Sequence, residues 1–189
     1  ILVYSDEIPA ETWDRVSPVL EHNLERFPDN ASLLFALGNL HLRRGDRPRA
    51  VELLNRVTQV KPGHFLALNN LAAILAEEPG RVDEAMETID NAILLAAYEI
   101  PTLLDTKAVV LIHQGNYQAA ADLSQAVTAS VDATDPRYFF LAMSLAMLGE
   151  TDEARLAMAE AERLGLDQAF LTEFEKQQSA RLRAEFAKL

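Results

Sequence analysis

Histidines and carboxylates are the groups in this sequence that could move protons or hold a metal ion, and their spacing argues against both. The four histidines, His22, His41, His64 and His113, never fall three to five residues apart, so no two share one helical face as metal ligands, and no His-Glu-x-x-His motif occurs. Asp83-Glu84 with Glu87, and Asp152-Glu153, are paired carboxylates of the kind a general acid and base would use. Both groups stand where a helix would begin, and carboxylates there favour the positive end of the helix dipole. Nucleophiles fare no better. The chain has no cysteine, which excludes thiolate catalysis, disulfides and cysteine-ligated zinc or iron–sulfur centres, and it has no Gly-x-Ser-x-Gly elbow. Gly115-Asn116-Tyr117 and Gly149-Glu150-Thr151 lack the lysine and hydroxyl that a phosphate-cradling loop carries after a strand. The expectation is a chain without catalytic residues, metal site or cofactor.

The elements that would position these groups come from the chain as a whole. Of 189 residues 49% are apolar and 24% charged, enough to build a core and too apolar for a disordered segment. No stretch approaches the ~18 uninterrupted apolar residues of a membrane helix, so no membrane insertion is expected and the chain reads as soluble. Seventeen Lys and Arg face twenty-nine Asp and Glu, for a formal net charge of −12. Holding a phosphate backbone takes clustered cations, so nucleic acid is not an expected partner. The chain opens at Ile1 without a methionine and shows no basic segment leading into an apolar run, which reads as a piece of a longer protein whose targeting signal is cut away. Cytoplasm and periplasm both suit it.

Gly45, Gly80, Gly115 and Gly149 recur at intervals of 35, 35 and 34 residues, each followed five residues later by an alanine, Ala50, Ala85, Ala120 or Ala154. About eight residues before each glycine stands another small residue, Gly38, Ala72, Ala108 or Ala142. Apolar residues follow helical spacing on both sides of the first turn: Leu33, Leu34, Leu37, Leu40 and Leu42 before it, Ala50, Val51, Leu53, Leu54 and Val57 after it. Glycine can supply the left-handed residue that ends one helix, and Asp46, Asp83 and Asp152 can cap the next. Each period is therefore a helical hairpin with small residues where its helices cross. A fixed period of this length marks an all-α solenoid of stacked units.

Leu37-Gly38, Gly45-Asp46, Ala50, Val57 and Pro62, in that order, resemble the tetratricopeptide repeat family. On that resemblance the repeats run over 31–64, 65–100, 101–134 and 135–168, preceded by an N-terminal segment and partial repeat at 1–30 and followed by a C-terminal capping helix at 169–189. Trp13 to Phe27 is similar to the second helix of an incomplete repeat closed by Pro28, although Pro18 stands inside it and proline fits only a first helical turn. Asp167 is expected to cap a terminal helix carrying Phe170, Leu171, Phe174, Leu182 and Phe186, with Glu173, Lys176, Gln177, Arg181 and Lys188 on its polar side. The first three repeats have no tryptophan or tyrosine at the usual first-helix anchor positions.

The resemblance implies a right-handed α-solenoid whose first helices line a concave groove that binds a peptide or protein segment without chemistry of its own. The family's groove positions fall here on Phe35, Asn39 and Arg43 in the first repeat and on Asn69 and Asn70 in the second. In the third they are Thr102, Asp105, Thr106, Val109 and His113, and in the fourth Phe139, Phe140, Met143 and Met147. Asn39 and Asn70 match the asparagines with which some members hold an acidic C-terminus, but Phe35, Thr102 and Thr106 replace the cations of that clamp, so a free carboxylate would lose its hydration with nothing to offset the loss. Two readings of the Phe139 to Met147 stripe stay open: it meets a peptide's side chains, or it packs under the C-terminal helix. Both hold if that helix fills the groove until displaced. Arg43, Arg44, Arg47 and Arg49 crowd one turn, where they could hold an acidic partner or simply stabilise a helix C-terminus. The alternative function is a recruiting or regulatory arm of a larger transferase or kinase. The pentatricopeptide class, with a similar period and RNA as its ligand, is disfavoured by the acidic balance. Self-association as a homo-oligomer is left open.

Overall fold

Residues 10–98, 100–130, 135–169 and 171–188 are described by a computed structural model, and every regular element among them is helical. No helix among them is long and apolar enough to cross a membrane. Phe170, expected on the terminal helix, lies outside the described residues. Residues 10–98 form one compact unit and residues 100–188 a second.

The first unit begins with α1 (Ala10–Arg26), followed by the hairpin α2 (Ala31–Arg43) and α3 (Arg47–Val60) and the hairpin α4 (Phe65–Ala76) and α5 (Val82–Leu95). Its core forms where α2 and α3 face each other: Leu34, Leu37, Leu53, Leu54 and Val57 are at most 1% exposed, and each fully buried side chain of this size contributes about 1.5–3 kcal/mol. Gly38 sits at the crossing. A Cβ there would meet Leu54 Cγ and Cδ2 at 3.1 Å, so the missing side chain lets the two backbones approach. Ala50, on the opposite helix, is fully buried as well.

At the first turn Gly45 takes φ 80°, a value disfavoured for residues with a Cβ. It lets Gly45 N–H donate to the Leu42 carbonyl and Asp46 N–H to the His41 carbonyl, both at 3.0 Å, closing the helix with the six-to-one bond of a Schellman turn. Asn116 N–H to Leu111 and Glu150 N–H to Leu145 repeat that bond at 2.9 and 3.0 Å. The glycines at 80, 115 and 149 are likewise left-handed.

The expected caps hold only in part. Asp46 caps α3 by accepting from Arg49 N–H at 3.4 Å, whereas Asp83 lies inside the first turn of α5. Helix α1 runs through Pro18. An interior proline costs about 3 kcal/mol, and Leu24, buried, with Trp13 and Leu20, half-buried against the core of α2 and α3, offsets it.

The second unit contains the hairpins α6 (Pro101–His113) with α7 (Tyr117–Ser130) and α8 (Asp135–Leu148) with α9 (Thr151–Arg163), a turn of 3-10 helix at Leu166–Gln168, and α10 (Glu173–Phe186). Asp152 falls in the first turn of α9 rather than at its cap. Asp167 does not cap α10 either, because it sits in the 3-10 turn and pairs with Arg183. Thr172 takes that place through a capping box: its hydroxyl accepts from Glu175 N–H at 3.2 Å while Glu175 Oε2 accepts from Thr172 N–H at 2.7 Å.

Candidate functional site

In the first unit the predicted asparagines come together. Asn70 Nδ2 on α4 donates to Asn39 Oδ1 on α2 at 2.5 Å, and Asn69 Nδ2 donates to Asn70 Oδ1 at 3.3 Å. All three side chains are buried, Asn69 at 1% exposure and the other two at 7–8%. The chain of amides leaves two loose ends: neither Asn39 Nδ2 nor Asn69 Oδ1 finds a hydrogen-bond partner among the described residues. Leaving a buried polar atom unpaired costs about 1–3 kcal/mol, so a donor and an acceptor are held at some expense to stability. Phe35, one turn before Asn39, is half-buried with its ring 4.6 Å from the His64 imidazole.

His64 has a structural part to play there. It is the N-cap of α4, its Nδ1 accepting from Ala67 N–H at 3.2 Å, and burial lowers its pKa. The unprotonated nitrogen that the cap needs is therefore the favoured form.

The basic turn is engaged within the chain. Arg47 pairs with Glu77 at 2.7 Å and Arg49 with Glu52 at 2.5 Å, and the Arg44 guanidinium lies 4.5 Å over the Trp13 ring. Arg43, a predicted groove residue, is half-buried. His41 Nδ1 pairs with Asp46 at 2.9 Å, tying the end of α2 to the cap of α3.

In the second unit the predicted positions divide. Phe139, Phe140 and Met143 are at most 3% exposed, with the two phenyl rings 5.9 Å apart; they are core. Val109 and Thr106 are buried too, and Thr102 is half-buried. Asp105, at 3% exposure, faces Arg137 of α8, its guanidinium Nε 3.3 Å from the carboxylate. The residue types and spacing did not single out Arg137. Its signal was faint: it is the one basic residue of α8 and stands in a first turn, where the dipole disfavours a cation. His113 and Met147 meet the terminal helix. The His113 ring is 4.2 Å from Phe174 of α10, and Met147, 39% exposed, has its sulfur 3.9 Å from Arg181 Nη1.

Among the described residues no group of three or more histidines and carboxylates could hold a metal ion. The asparagines form a buried amide chain under the surface of the first helices, and its two unpaired atoms have almost no exposed surface of their own.

Comparison with known proteins agrees with this architecture. Tetratricopeptide repeat models match residues 20–57, 35–99 and 137–164, together more than half of the chain. Over 90 residues, 44% of its length, the chain is 34% identical to the photosystem I assembly protein Ycf3 of Rippkaea orientalis (strain PCC 8801 / RF-1). It spans about half of that relative, 51%. Among solved structures it is similar to PilW, a widely conserved type IV pilus biogenesis factor, with a TM-score of 0.73 at 16% identity over 93% of this chain and 85% of that one. It is also similar to TTC0263, a thermophilic TPR protein of Thermus thermophilus, with a TM-score of 0.71 at 18% identity over 95% and 91% of the two chains. At such identities the likeness shows the fold, an all-α helical-repeat solenoid. The left-handed glycines, the small residues at the helix crossings and the matching repeat models together make this chain a member of the tetratricopeptide repeat family.

Proposed function

We propose that the chain is a protein-interaction module that holds a segment of another protein against its first helices and performs no chemistry itself. One observation carries the reading: the amide chain Asn69–Asn70–Asn39, which ends in a donor and an acceptor that the fold leaves unpaired. A peptide backbone offers the complementary pair at every residue, an N–H and a C=O. Core amides of this kind lower stability, so a ligand that completes their hydrogen bonding is a physical reason for keeping them. The net charge of −12 supports a protein rather than a nucleic acid as the partner. Membership of a family that works by binding supports the same reading.

The test is capture of binding proteins by the wild-type chain and by Asn39→Leu/Asn70→Leu. Replacing Asn39 and Asn70 by apolar groups of similar size is close to neutral for that pair, but it also strands Asn69 Nδ2, which loses Asn70 Oδ1 as its acceptor, at a cost of about 1–3 kcal/mol. The expected result is an unchanged helical signal with the partner lost. A partner held equally by both chains would remove the asparagines from the site.

A further inference from the structure

Helix α10 does not continue the stack. A terminal cover built as one more first helix would lie against α9, as α8 lies against α7. Instead the backbone of α10 runs beside α8, its Phe174 ring rests on His113 of α6 at 4.2 Å, and its Arg181 reaches Met147 of α8. These three contacts are with first helices, and one exposed ion pair, Arg183 with Glu162, reaches α9. From this placement we infer that the first-helix face of the second unit is a docking site for an amphipathic helix of a partner protein, and that α10 occupies it as an exchangeable stand-in. The inference rests on the reading that first helices form the working surface, and adds what the ligand looks like.

The seating of α10 is that of a ligand rather than of core. Of its fourteen residues only Glu175, Ser179 and Leu182 are buried, and the Glu175 carboxylate is engaged at the helix's own N-cap. Leu182 is the single buried aliphatic anchor, while Phe174 and Phe186 are half-buried. Two further ties are ionic: Arg183 reaches Glu162 of α9 at 2.8 Å and Asp167, with the arginine and Glu162 more than 40% exposed and Asp167 more so. Exposed pairs of this kind hold weakly and are screened by salt. An open pocket of about 210 Å³, lined by Leu166, Leu171, Ser179 and Arg183 among others, lies where α10 meets the 3-10 turn. The connection from α9 passes through left-handed Gly165 at φ 102° and the 3-10 turn at Leu166–Gln168, so α10 can leave without unravelling α9.

The occupant's own residues describe the partner. It is an amphipathic helix with an aromatic residue, a leucine eight positions later, and arginines beside that leucine, as in Phe174, Arg181, Leu182 and Arg183. The acidic rim at Glu162 and Asp167 selects the basic flank, and adaptable Met147 meets the apolar side.

The experiment uses the full chain and a fluorescein-labelled peptide of residues 172–188. Anisotropy is measured with the wild-type chain, with Leu182→Asp, and with a control peptide carrying Phe174→Ala and Leu182→Asp. A site filled nine-tenths of the time by its own helix shows about tenfold weakened apparent affinity. Leu182→Asp is therefore expected to bind the wild-type peptide about tenfold more tightly than the wild-type chain does, and neither chain is expected to bind the control peptide. Circular dichroism of Leu182→Asp should show the other helices intact. Equal affinity for the two chains, or no binding by a folded Leu182→Asp, overturns the proposal. So does unfolding of that variant, which would make α10 part of the core. A wild-type dimer abolished by Leu182→Asp in size-exclusion would make a second copy's α10 the occupant and overturn the assignment to a partner protein. Failure here leaves the test of Asn39 and Asn70 standing, because those residues lie in the other unit.

Discussion

Arg137 and Asp105 form a pair that neither residue could form with water instead: both side chains are almost wholly buried, at 11% and 3% exposure. Truncating one partner strands the other charge, which typically costs 3–5 kcal/mol. Arg137→Ala is expected to destabilise the protein by about 3 kcal/mol in urea titration, and a loss under 1 kcal/mol would show the pair to be incidental. His64 supplies a pH-dependent counterpart. Its pKa is lowered by burial first and by Lys61 as well, against its own backbone hydrogen bond. The native state thus binds the proton less readily than the unfolded chain. The His64 contribution is complete above the ordinary imidazole value near ~6.5 and is lost as pH falls through it towards the lower native value. His64→Asn keeps a capping acceptor without titrating, so it should lose less stability than the wild type between about pH 7 and pH 5. Equal losses would show that the imidazole does not titrate on folding. Residue type alone leaves His64 among unremarkable histidines, and the family resemblance puts Asp105 in an open groove. Their partners sit three and thirty-two residues away, and only the helix start and the packing of α6 against α8 reveal them.

At the scale of the helix, the small residues explain how close the pairs come. Gly38→Val puts branched carbon into Leu54, which has no exposed surface to retreat to. Overpacking of this sort costs about 1–3 kcal/mol, so a lower thermal midpoint with no loss of helical signal is expected. A midpoint equal to that of the wild type would mean that α2 and α3 are free to separate. The glycine turns were legible because a left-handed residue strains nearly any side chain but glycine, and the spacing of glycines therefore records the spacing of turns. The caps were less legible. An aspartate near a helix start serves as a cap at Asp46 and as a first-turn charge at Asp83 and Asp152, and the two roles share the same residue type and differ by one or two positions. Pro18 misleads in the other direction. The rule against interior proline is local, whereas the burial of Leu24 and the packing of Trp13 and Leu20 that offset it are not. The path of α10 was legible only as an alternative, since amphipathic spacing shows that a helix has an apolar side and not which surface receives it.

For the molecule as a whole, the family and the all-α repeat architecture follow from registers visible in the chain, because each repeat meets mainly its sequence neighbours and so writes its packing into local spacing. The division into two compact units does not follow from the period, which passes from 35 to 35 to 34 residues without a break. The first unit closes on side chains that find no cover within it, Leu94 at 82% and Tyr98 at 73% exposure, and nothing in their residue types distinguishes them from buried counterparts. Protein binding is the function proposed for such a molecule, and a single peptide held by few anchors calls for micromolar affinity. The decisive measurement is calorimetric titration of a captured partner segment, as a synthetic peptide, into the wild-type chain and into Asn39→Leu/Asn70→Leu. Micromolar binding by the wild type, with at least tenfold weaker binding by the folded variant, is the predicted result. The same dissociation constant for both chains would contradict it.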